Sequence, residues 1–114
     1  MGTLLVVTSC PADRADAIGR ALVEERLAAC ASVLPGVRST YFWEGKLETS
    51  SEALLLLKTR ADLGRPIAAR LRALHPYEVP EILLVATDDG NPDYARWVEA
   101  ETRSQVSPSE SKPK

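Results

Sequence analysis

The chain is expected to fold as an α+β domain: one antiparallel sheet with helices on one face, an overlong central hairpin and an appended C-terminal helix. Three observations carry this expectation. Apolar runs of strand length alternate with segments whose apolar residues recur at helical spacing, in the order β-α-β-β-α-β and then a further helix. The two middle extended runs, Ala29 to Trp43 and Lys46 to Thr59, are joined by a tight Glu44-Gly45 turn. At 114 residues the chain buries roughly two-thirds of its unfolded surface, enough for one core.

Leu4-Leu5-Val6-Val7 has no alternation and reads as a strand covered on both faces. Ser9, Pro11 and Asp13 signal a helix start: a hydroxyl for capping, a proline for the first turn, a carboxylate for the dipole. The helix then runs to about Leu27, with Ala15, Ile18 and Leu22 on one face and an Asp16–Arg20 pair four apart on the other. Within the long extended run, Pro35-Gly36 marks a bulge or bend. Leu63, Ile67, Leu71 and Leu74 stripe the second helix, leaving Arg65, Arg70 and Arg72 as a solvated face. It must stop at His75, because the residue before a proline is pushed out of the helical region. Ile82 to Ala86 reads as a buried strand. Asn91-Pro92 caps a third helix carrying Tyr94, Trp97 and Val98 at helical spacing, with Trp97 on that stripe read as packing. This order is the ferredoxin-like arrangement. Residues 1–103 form the domain, and 104–114 a polar, flexible tail with too little apolar surface to order itself.

A net charge of −2 and a pI near 5.4 argue against a nucleic-acid binder, which needs a basic footprint. Cys10 and Cys30 make no disulfide framework. No N-terminal segment resembles a secretion signal, and the apolar run at Leu54–Leu57 is too short for a bilayer. These features point to a soluble cytoplasmic protein with no membrane partner.

Geometry argues against a monomer. A strand of about 14 residues spans roughly 45 Å, whereas a compact domain of this length is only about 35 Å across. The hairpin must overhang the body with open edges, which are marginal when left unpaired. Its tip carries Tyr41, Phe42 and Trp43. Together with Tyr77 these rings are candidate interface anchors, or the lining of a small-molecule pocket at a subunit junction.

His75 is the only histidine. It suits a borderline divalent ion, with a cysteine or carboxylate folded beside it; equally, it terminates a helix and donates to a carbonyl. Glu81, six residues on and just before a strand, is the carboxylate placed to join it, whereas Glu44, Glu48 and Glu52 read as acids that keep a hairpin edge soluble. Cys10 at a helix start has a better claim to thiolate character than Cys30, which reads as a small hydrophobe. The loop Thr8-Ser9-Cys10-Pro11 has no arginine-bearing anion cradle of the kind an acylphosphatase needs, and no glycine-rich phosphate loop is present.

Five blocks, Glu24-Glu25-Arg26-Leu27-Ala28-Ala29-Cys30, Pro35-Gly36, Tyr41-Phe42-Trp43-Glu44-Gly45-Lys46, Leu57-Lys58-Thr59 and His75-Pro76-Tyr77-x-Val79-Pro80-Glu81, stand in this order. In them the chain, from about Leu4 to about Glu101, resembles the CutA family of divalent-cation tolerance proteins. The resemblance implies the ferredoxin-like fold and homotrimers built by strand pairing between subunits. It implies no catalysis and an association with copper and other divalent ions, weakly held as the only cofactor. Suggested ligands in the family include this histidine and a cysteine at the end of the first strand. In this chain that strand end is Val7-Thr8-Ser9, and Cys10 is the nearest thiol. His75, Cys10 and Glu81 are therefore the expected metal residues. The alternative is a PII-like small-ligand sensor, a class that shares fold and trimeric assembly, with its ligand at the subunit cleft.

Overall fold

A computed structural model describes residues 2–104. Of the expected tail, 104–114, all but Ser104 lies outside the described residues. Strands β1 (Thr3–Cys10), β2 (Cys30–Trp43), β3 (Lys46–Arg60) and β4 (Leu83–Ala86) alternate with helices α1 (Ala12–Glu24) and α2 (Gly64–Leu74), and α3 (Pro92–Glu101) follows. The strands form one sheet in the order β2-β3-β1-β4, every neighbouring pair antiparallel. This is the expected α+β, ferredoxin-like topology.

Register decides which residues make the core. Val6 stands opposite Leu57 on one side and Leu84 on the other, so the inward residues of three strands fall in one row. Val6, Leu55 and Leu57 pack against Ile18 and Leu22 of α1 and Ile67 and Leu71 of α2, all buried. Each such side chain stabilises the fold by about 1.5–3 kcal/mol relative to exposure. Only this face of β1 is fully covered: Leu5 and Val7, pointing the other way, are half-buried. The unbroken apolar run of β1 therefore belongs to a strand with one covered face, not two.

The ends of α1 depart from the sequence reading. Strand β1 continues to Cys10, so Ser9 is held extended and its hydroxyl goes elsewhere; Pro11 occupies the cap position with no side-chain cap. At the other end the helix stops at Glu24, short of Leu27. Arg26 adopts a left-handed φ of 62°. Its N–H donates to the Val23 carbonyl, and the Leu27 N–H reaches back to Leu22. This is the Schellman pattern, with Leu27 as the apolar residue that seals the end and is buried. Along α1, Arg20 pairs with Glu24 at 3.3 Å rather than with Asp16. Arg70 of α2 is not merely solvated: it clamps the Glu25 carboxylate with two bonds of 2.9 Å, tying α2 to the end of α1.

The hairpin β2–β3 is 14 and 15 residues long, and the molecule measures 58 × 31 × 22 Å, so the overhang is present. Its turn has Glu44 and Gly45 both at positive φ, 51° and 79°, matching the twist of the flanking strands. The register shifts between Leu34 and Val37, where Gly36 sits at φ 74°. Strand β4 is shorter than expected and is not buried: Leu83, Leu84 and Val85 are about half exposed, because β4 is an edge with no neighbour on its outer side. The cap of α3 forms as expected, Asn91 Oδ1 accepting from the Asp93 N–H at 3.0 Å. Of its stripe only Val98 is core; Trp97 and Tyr94 stack on each other, ring centroids 5.7 Å apart, and stay substantially exposed. Trp97 is thus a surface ring rather than packing.

Candidate functional site

The end of β1 organises the site, because Ser9 and Cys10 lie where α2 and the segment after it return to the sheet. His75 is the residue at which α2 stops; its N–H closes onto the Leu71 carbonyl while Pro76 prevents another turn. The ring is 6% exposed. Nδ1 accepts from the Tyr77 N–H at 3.2 Å, so the ring proton sits on Nε2, which donates to the Ser9 carbonyl at 2.8 Å. Both nitrogens are engaged. A hydrogen bond to a carbonyl at a helix end is one of the two roles the sequence allowed for this histidine.

Glu81 reaches the same residue from the other side of the loop, its Oε1 accepting from the Ser9 hydroxyl at 2.9 Å. Ser9 therefore bridges His75, through its carbonyl, and Glu81, through its hydroxyl. Cys10 is next along the strand, fully buried. Burial, and behind it the Glu52 carboxylate, push its thiol above the ordinary value. The helix N-terminus does not make it a thiolate. The three expected metal residues are gathered at one strand end, yet among the described residues no three His, Cys, Asp or Glu side chains converge closely enough to hold an ion as they stand.

Beside this strand end lies a cleft of about 790 Å³ between the outer half of the hairpin and the segment 76–81. Three of the four expected interface rings, Tyr41, Trp43 and Tyr77, line it, and Phe42 points away at 74% exposed. Tyr77 stacks at an angle on His75, centroids 4.8 Å apart, and donates to Glu52 Oε2 at 2.6 Å. Its phenol is held far from ionisation, first by burial and then by that hydrogen bond and the carboxylate's charge. Tyr41 and Ser50 share a hydroxyl bond of 2.6 Å. The cleft's charge is one-sided: Glu52, Glu78 and Glu81 line it, and among the described residues no lysine, arginine or histidine does.

Glu52 is the residue that the sequence reading misplaced. It is 5% exposed, not a solubilising acid on the hairpin edge. Its one local sign is its position immediately before the apolar run Ala53–Leu57, where polar hairpin gives way to core strand. Ser9 was likewise read as a cap and is the bridge.

The antiparallel sheet in the order β2-β3-β1-β4 with its helices defines a ferredoxin-like α+β domain. The family model for the CutA1 divalent ion tolerance protein matches residues 4–101. The chain belongs to the CutA1 family. It is 42% identical to mouse protein CutA over 97 residues, 84% of this chain and 55% of that protein. It thus spans about half the length of the mouse relative. Among solved structures, CutA from Xylella fastidiosa is 44% identical with a TM-score of 0.87, covering 90% of this chain and all of that one. The PII-like protein CutA from Nostoc sp. PCC 7120, in apo form, is 31% identical with a TM-score of 0.84 over 88% and 97% of the two chains. No helix among the described residues is long and apolar enough to cross a membrane.

Proposed function

We propose that this protein is a non-enzymatic, cytoplasmic homotrimer of divalent-ion tolerance that binds copper weakly at the end of β1. The observation that carries this reading is the double use of Ser9, which draws His75 and Glu81 to one strand end beside Cys10. Cu²⁺ favours an imidazole nitrogen. An ion at Nε2 would displace the Ser9 contact and require the ring proton on Nδ1, at the expense of the bond that Nδ1 accepts from the Tyr77 N–H, so part of its binding energy would go to reorganisation and a modest affinity follows. Three carboxylates around the adjacent cleft, with no cation among the described residues that line it, raise the local concentration of any divalent ion.

The trimer is supported by two open sheet edges, β2 and β4, the second with three exposed apolar side chains. Pairing unlike edges of successive copies is a head-to-tail contact, which forms a ring where the rotation between copies closes. The number three comes from the family.

Calorimetric titration of Cu²⁺ at pH 7.5, in a non-coordinating buffer, tests the ion reading. His75→Ala and Glu81→Gln should each weaken binding relative to wild type. Equal affinity in all three proteins removes these residues from the site, and no heat in any leaves the segment after α2 a structural hinge. A second reading, a PII-like small-ligand trimer, is favoured by the aromatic cleft, which an ion at Ser9 leaves unused.

A further inference from the structure

We propose that the cleft binds an organic primary amine, its ammonium group on Glu52 and its apolar body against Tyr77, Tyr41 and Trp43. This deepens the small-ligand reading by naming the ligand's chemistry. Glu52 is nine-tenths buried, and a buried carboxylate is costly unless paired and hydrogen-bonded. Tyr77 satisfies Oε2 alone. Among the described residues no hydrogen bond reaches Oε1, and no arginine, lysine or histidine pairs with the group. Among the described residues only Thr3 Oγ1 is sealed from solvent without a partner, so Oε1, which no protein donor reaches, opens onto the cleft, where a donor entering from solvent can meet it.

The surroundings select among cations. Glu78 and Glu81 add negative charge without a compensating base, which opposes phosphates and carboxylates and favours any cation. A small, strongly hydrated metal ion gains little from aromatic walls. An ammonium on a carbon skeleton gains twice, through the ring faces and through burial of its chain. A quaternary ammonium satisfies the rings but has no N–H for Oε1. A primary amine satisfies both. The volume of the cleft is that of a small-molecule site.

The test uses the full-length protein in phosphate buffer with EDTA, so that copper plays no part. n-Butylammonium, its neutral counterpart n-butanol and tetramethylammonium are titrated by calorimetry. n-Butylammonium should bind at least about ten-fold more tightly than either of the others, and Glu52→Gln should abolish that advantage, since a neutral amide forms no charge-assisted hydrogen bond with the ammonium. n-Butanol binding as tightly as the amine would make the cleft an apolar groove and overturn the proposal. So would wild type that binds no amine, or Glu52→Gln that binds it unchanged. If the glutamine variant folds poorly, the wild-type comparison of amine with alcohol decides alone. Loss of copper binding with amine binding intact overturns the ion reading only, and the converse overturns only this one.

Discussion

Tyr77 donates its phenolic hydrogen to the carboxylate of Glu52, 25 residues away in sequence, at 2.6 Å. The contact fastens the segment after α2 to the outer half of the hairpin, so one bond ties together two walls of the cleft. It also gives the buried Glu52 its one hydrogen-bond donor among the described residues. Tyr77→Phe keeps the ring against His75 and removes only the hydroxyl. A buried acceptor left without a donor costs about 1–3 kcal/mol. Denaturant unfolding should show a lower midpoint with an unchanged slope. An unchanged midpoint would show that water replaces the hydroxyl freely and that the segment is fixed by other contacts.

The Arg70–Glu25 clamp predicts a pH-dependent loss. The hydrogen bond from Arg70 holds the Glu25 carboxyl below the usual carboxylate range, against an opposing effect of burial. A group whose folded pKa is depressed contributes stability that is present above its unfolded pKa and lost as pH falls through the folded value. Arg70→Ala should therefore lower the melting temperature slightly at pH 7, and the loss should fade as pH drops through the depressed folded value of Glu25, below which both proteins carry the protonated carboxyl. Both side chains reach solvent, so the neutral-pH effect is small and shrinks with added salt. A loss that persists undiminished in acid would assign it to packing of the arginine stem.

The assembly makes a prediction in mass. Light scattering at micromolar concentration should return three times the 12.4 kDa of one chain. Trp43 sits at the hairpin tip, partly exposed, among the rings expected to anchor the interface. Trp43→Ala should shift the equilibrium toward smaller species, the truncation of such an anchor costing about 2 kcal/mol or more. A wild-type chain that runs as a monomer at all concentrations would remove the assembly from the account.

The topology was readable because hydrophobic period and turn residues agree along the chain: Glu44-Gly45, Pro35-Gly36 and Asn91-Pro92 each sit where the structure turns, bulges or caps. The end of α1 was not, because the left-handed position is filled by Arg26 rather than glycine, and the Schellman bonds depend on Leu27 finding the core. Apolar content alone misjudged β4 and Trp97, since it does not say whether a neighbour lies in the same chain. At the site, His75 and Glu81 stood out through the prolines near them. Ser9 and Glu52 did not, because each is defined by a partner 72 or 25 residues away. Long-range pairing of single polar side chains leaves no periodic trace.

One measurement bears most directly on the claim that β1 ends in a divalent-ion site. Crystals of the protein soaked in copper, with diffraction recorded on both sides of the copper absorption edge, locate the ion without reference to affinity. The account predicts an anomalous peak at bonding distance from His75 Nε2, with the ring turned from the Ser9 carbonyl and the Glu81 carboxylate nearby. A peak remote from His75, or none in crystals that retain this fold, would contradict it.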